Sequence, residues 1–136
     1  MRQVPKTVVI AIYGLAIALG GCESDHHGAE GIATESTCPT ADVPTYNSFG
    51  KDFMESYCTR CHSSTLSGDD RNDAPAGHDF DSLAGVVLVA NHIDKYAAAG
   101  PAGMNEIMPK SDPRPTNAER LRLGQWLACE LAATAK

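Results

Sequence analysis

Five consecutive residues, Cys58-Thr59-Arg60-Cys61-His62, constrain this chain more than any other feature. Two cysteines at this spacing on a turn can both reach one edge of a planar ring, where each thiol adds to a vinyl group and forms a thioether. Adjacent helical residues diverge by roughly 100°, so Cys61 can hold the ring edge while the His62 imidazole swings beneath the metal. The pattern is the recognised attachment signal for covalent haem. Cys58 and Cys61 are therefore candidate haem-attachment residues and His62 a candidate iron ligand. Two other chemistries use the same thiols. A zinc site needs two further ligands in tetrahedral array, and the chain has no second Cys-x-x-Cys and no His-x-x-x-His. A thioredoxin-like redox pair belongs in a βαβ setting, which the sequence does not suggest.

The chain has 136 residues, but its beginning has the pattern of an export signal. Arg2 and Lys6 precede an apolar run from Thr7 to Gly20 that is short for a membrane span. The run ends in Leu19-Gly20-Gly21-Cys22, which resembles a bacterial lipobox and makes Cys22 the candidate lipid-bearing mature N-terminus. Glu23 stands where an aspartate would favour inner-membrane retention, so the outer membrane is the preferred destination on the periplasmic side. Expected domains are a lipoprotein-type signal peptide at 1–21, a flexible tether at 22–37 and a folded domain at 38–136. The tether is polar, with Ile32 as its one large apolar residue, and its His26-His27 pair is expected to be solvated.

A folded part this small buries limited apolar surface and gains from a cofactor or a disulfide. Loss of residues 1–21 removes two of the 11 basic residues and none of the 17 acidic ones, leaving 9 against 17, or about −8. Such a surface disfavours nucleic acid and suits a basic or mixed-charge protein partner.

Three helical segments are predicted. Phe49, Phe53 and Tyr57 recur every four residues along a segment from Ser48 to Cys58, with Ser48 as N-cap. A second helix is expected from Asp79 to Ala99, carrying Phe80, Leu83, Val86, Val87 and Ile93 and stopped by Gly100-Pro101. The third begins at Thr116, where Thr116 and Glu119 have capping-box spacing, and buries Leu123, Trp126, Leu127 and Leu131. No alternating strand pattern is present, so the expected class is all-α. Two long turn-rich connections, Ser63 to His78 and Gly100 to Pro115, need something to pack against, and a haem is large enough to be it.

From about Tyr46 to Leu131 the sequence resembles a class I, monohaem cytochrome c domain. The resemblance rests on the aromatic helix leading into Cys58-Thr59-Arg60-Cys61-His62, on Arg71-Asn72-Asp73-Ala74-Pro75, on Met108-Pro109 and on the helix with Trp126-Leu127-Ala128-Cys129. It implies a small helical domain wrapped around one haem, with a methionine sixth ligand in the loop before the last helix. Met108 is the better match there; Met104, His78 and His92 are the alternatives. Pro109 pushes Met108 toward an extended backbone. The resemblance also implies a proline carbonyl accepting the proximal imidazole Nδ1–H, for which Pro75 is the candidate, and Arg71 is a candidate partner for a haem propionate.

Cys38 and Cys129 remain once the other three cysteines are allotted, and export permits their pairing. Histidine and methionine together leave no open position on an iron, so the expected role is that of an electron carrier between periplasmic or membrane redox proteins, not an enzyme. The alternative is a haem-based sensor or peroxidase-like protein with a labile sixth ligand.

Overall fold

The structure, a computed structural model, describes residues 30–135. The signal stretch, Cys22 and the His26-His27 pair lie outside the described residues. The described part is mainly helical, as expected, with one two-stranded ladder added.

A π-helical turn, Tyr46–Gly50, runs directly into α1, Lys51–Tyr57. The start is capped by Thr45, not Ser48: the Ser48 N–H donates to Thr45 Oγ1 at 3.1 Å and the Thr45 N–H donates to Ser48 Oγ at 3.0 Å. This reciprocal box satisfies two amides that the first turn would otherwise leave unpaired. Phe49, Phe53 and Tyr57 then form the expected stripe, with ring centroids 5.4 and 5.0 Å apart in sequence.

The second predicted helix is two. Ser82 caps α2, Leu83–Leu88, and α3 spans Ala90–Ala97. Val89 separates them with φ −125° and ψ 24°. The run Val86-Val87-Leu88-Val89 carries three β-branched residues, which lose side-chain freedom in a helix and lower its propensity. Beyond α3, β1 (Ala99–Gly100) pairs antiparallel with β2 (Gly103–Met104), a ladder too short to show alternation in sequence.

Helix α4, Asn117–Thr134, opens on the predicted box: Glu119 N–H donates to Thr116 Oγ1 at 3.3 Å and the Thr116 N–H donates to Glu119 at 2.8 Å. Its Leu123, Trp126 and Leu127 are buried against Phe53 and Met54 from α1 and Val86 and Ile93 from α2 and α3. Where α4 crosses the Tyr46–Gly50 turn, a Cβ on Gly50 would lie 2.3 Å from the Trp126 ring, so only glycine permits that approach. Gly124 plays the same part on the opposite side, where a Cβ would meet Ala99 O at 2.5 Å.

The tether expectation is corrected for its last residues. Thr34 is fully buried, its N–H donating to Asp94 at 2.8 Å and its carbonyl accepting from Ala102 at 3.0 Å. Ile32 and Asn105 exchange hydrogen bonds at 3.0 and 2.8 Å. The described segment from residue 30 to 37 is thus laced to α3 and the ladder by polar contacts, a form of anchoring that hydrophobic patterning does not register. Cys38 and Cys129 are disulfide-bonded, with Cα atoms 4.6 Å apart and 91 positions between them.

Candidate functional site

An apolar cleft of about 310 Å³ opens between α1, α3 and the two long loops. Cys58, Cys61, His62 and Met108 all line it. Cys58 ends α1, and its carbonyl accepts the N–H groups of Cys61 and His62 at 3.1 and 2.9 Å, so the motif continues the helix as one further turn. Both thiols are free and partly buried. Burial pushes the Cys58 thiol up to about 12, against the pull of Arg60 and then Arg120.

The His62 ring stacks on Phe80 at 4.5 Å with an interplanar angle of 12°, and its carbonyl accepts the Phe80 N–H at 2.9 Å. Its Nδ1 lies 3.1 Å from the carbonyl of His78. Burial lowers the imidazole below its ordinary value; that hydrogen bond opposes the shift, while His78 and Arg71 add to it. A neutral ring donating from Nδ1 keeps its lone pair on Nε2, the form in which histidine binds a metal.

One expected role in the first loop is corrected, and the residue expected in another is engaged within the protein. The acceptor for His62 is the His78 carbonyl, not that of Pro75. Pro75 O instead accepts from Arg71 at 2.9 Å. Arg71, the expected propionate partner, bonds within the protein: it donates to Ser63 O at 2.7 Å and Ala74 O at 3.2 Å and forms an ion pair with Asp79 at 2.8 Å. Left-handed Asn72 and Asp73, with φ 47° and 63°, turn the chain so that these carbonyls converge on the guanidinium. Such a side chain has few donors left for another anion.

Of the sixth-ligand candidates, Met108, His78 and His92 line the cleft, whereas Met104 does not and is 41% exposed. The His78 and His92 rings lie 5.3 Å apart at 82°. The Met108–Pro109 peptide is cis. Met108 is held by its main chain: its N–H donates to Tyr96 O at 2.8 Å and its carbonyl accepts from Arg120 at 2.9 Å.

Sequence reasoning missed two arginines here. Arg120 is 1% exposed, and its Nη1 lies within hydrogen-bonding distance of the carbonyls of Ala97, Asn105 and Met108. Arg60, between the two thiols, donates to the carbonyls of Ser111 and Asp112, with Pro113 O at 3.4 Å. The only signal for Arg120 was its register with Leu123 and Leu127 on one face of α4. Arg60 had none.

The donor set suits the group that the motif implies. Two reduced thiols and an imidazole with a free Nε2 share the cleft with a thioether, and Phe53, Tyr57, Phe80 and Tyr96 wall it with rings. Among the described residues no group of three or more His, Cys, Asp or Glu side chains gathers as a metal cluster, and no helix is long and apolar enough to cross a membrane. No family model, curated protein or solved structure matches the chain.

Proposed function

We propose that this protein is a monohaem c-type cytochrome of the class I kind, carrying one electron at a time. The observation that carries the reading is the convergence of Cys58, Cys61, His62 and Met108 on one apolar cleft, with His62 Nδ1 already occupied by a backbone carbonyl. Cys58 and Cys61 would hold the haem as thioethers, with His62 Nε2 and Met108 Sδ as axial ligands. When bound, haem supplies an iron that alternates between ferrous and ferric states.

The chain's own residues do the rest. The His78 carbonyl fixes the His62 tautomer and strengthens it as a donor. Phe80 fixes the plane of the imidazole. The ring-lined walls would shield a bound haem from water, which limits rearrangement when the charge changes. If His62 and Met108 both held the iron, the protein itself would occupy the places a substrate needs, which supports carriage over catalysis. Axial methionine favours a higher potential than a second histidine.

The rest of the reading is carried by the sequence. Export by the signal at 1–21 and lipid on Cys22 would keep the protein on the periplasmic side of a membrane, and the acidic surface suits redox partners with basic or mixed-charge docking faces.

Expression of the full chain with a c-type maturation system tests the proposal. A pyridine haemochrome of covalent type is expected, and Met108→Ala is expected to change the spectrum and admit carbon monoxide. Rapid carbon monoxide binding by the unaltered protein at neutral pH would support the sensor or peroxidase-like alternative, and absence of covalent haem would sink both.

A further inference from the structure

The loop from Asn105 to Pro115 joins β2 to α4 without regular secondary structure and contains Pro109, Pro113 and Pro115. Its carbonyls therefore need donors from elsewhere. Arg114 within the loop serves Glu106 and Lys110, and two arginines from outside it serve Asn105, Met108 and Ser111 to Pro113. Arg120, rising from α4, bridges Ala97 at the end of α3 to Asn105 and Met108, at 2.7, 2.8 and 2.9 Å. Its guanidinium is buried, and its Nε has no partner. The carbonyl dipoles are thus its main compensation, and opening the loop would leave a buried cation poorly solvated. Arg60 fixes the other end of the loop, at Ser111 to Pro113, and does so from within the attachment motif.

We propose that Arg60 and Arg120 act as positioning residues for the sixth ligand, a two-ended clamp that holds the Met108 loop shut and sets how readily an outside ligand displaces Met108. The inference rests on the haem reading above. With the loop closed, the Met108 main chain is fixed between Tyr96 O and Arg120, and its thioether stays over the cleft. An exogenous ligand gains access only in the open fraction, so its apparent affinity is its intrinsic affinity scaled by that fraction. Lysine can replace the charge but not the planar fork, so it should restore the clamp only in part.

The test uses the full chain matured with haem, with imidazole binding to the ferric form measured per haem for the unaltered protein, Met108→Ala, Arg60→Ala, Arg60→Lys and Arg120→Lys. Arg60 is exposed, so its variants keep the fold even if Arg120→Lys does not. Met108→Ala should bind imidazole at once. Arg60→Ala should bind about tenfold more tightly than the unaltered protein, with a weakened thioether-to-iron charge-transfer band, and Arg60→Lys should fall between the two. Arg120→Lys should show at least as large an increase. Arginine variants indistinguishable from the unaltered protein, beside a responsive Met108→Ala, would overturn the clamp and leave the haem reading standing. A Met108→Ala protein that bound imidazole no better than the unaltered one would overturn the clamp together with the assignment of Met108.

Discussion

The two long loops that flank the cleft are both rich in turn residues and both built on arginine–carbonyl bonds, yet they are organised over very different distances along the chain. In the first, Arg71 reaches carbonyls no more than eight positions away, at Ser63, Ala74, Pro75 and His78. In the second, Arg114 reaches Glu106 and Lys110 locally, but Arg120 reaches 12 to 15 positions, to Met108 and Asn105, and Arg60 reaches 51 to 53. The first loop is therefore folded on itself, and the acceptor for His62 is set locally. The second has a local bond of its own at Arg114, but Asn105, Met108 and Ser111 to Pro113 are fixed only once α1 and α4 are assembled. The two proposed axial ligands thus stand on unequal supports: His62 on a self-contained loop, Met108 on one that depends on the whole domain.

The largest perturbation should come from the Cys38–Cys129 bond. Replacing both cysteines by alanine releases a 91-residue closure and should cost about 4–5 kcal/mol by chain entropy, read as a fall in the urea midpoint. Under partial reduction, the Asn105 and Met108 amides should lose hydrogen-exchange protection before those of Ala74 and His78. The reverse order would break the contrast between the loops. Arg71→Ala should cost about 3 kcal/mol, because it orphans several partly buried carbonyls at once. Here exchange should rise at Ala74, His78 and Phe80 while Asn105 and Met108 stay protected; equal loosening of both loops would show that the first is not self-contained.

A smaller effect is expected where the second loop enters α4. The Thr116 hydroxyl and N–H, and then Tyr57, hold the Glu119 carboxyl below its ordinary value. A depressed folded value means stabilisation that is full above the unfolded pKa of about 4.3 and lost as pH falls through the lower folded one. Glu119→Gln should thus lower stability by about 0.5 kcal/mol at neutral pH, since solvent screens a carboxylate so accessible, a gap that closes on acidification through that window. A gap independent of pH would remove the charge from the account. The smallest effect belongs to Arg114, which is exposed and bonds Lys110 O at 3.0 Å. Arg114→Ala should change stability by under about 0.5 kcal/mol, and a larger loss in thermal melts would add a third arginine to those that shape this loop.

What was legible in the sequence was written in side chains. The Phe49, Phe53 and Tyr57 stripe, the Thr116–Glu119 box, the stripe of α4 and the pairing of Cys38 with Cys129 each depend on residue type at a spacing. The illegible parts depend on the main chain. Any residue offers a carbonyl, so nothing in the letters distinguished His78 from Pro75 as acceptor, or marked Ser111 to Pro113 as the target of Arg60. Thr34 and Asn105 escaped for a related reason: polar residues in turn-rich stretches are ordinarily solvated, and their burial follows from hydrogen bonds to Asp94 and Ile32. The break at Val89 had a local cause, a β-branched run, but Leu83 to Ile93 reads equally well as one helix.

The contact between Gly50 and Trp126 has a consequence in time. A chain emerging from its N-terminus presents Cys58, Cys61 and His62 when Met108 and Trp126 have yet to appear, so the ring-lined wall has nothing to close against. In the finished fold the Cys58 thiol is partly buried, and that burial pushes it up to about 12. Docking of α4 on the first helical turn is then the event that gives that wall its backing.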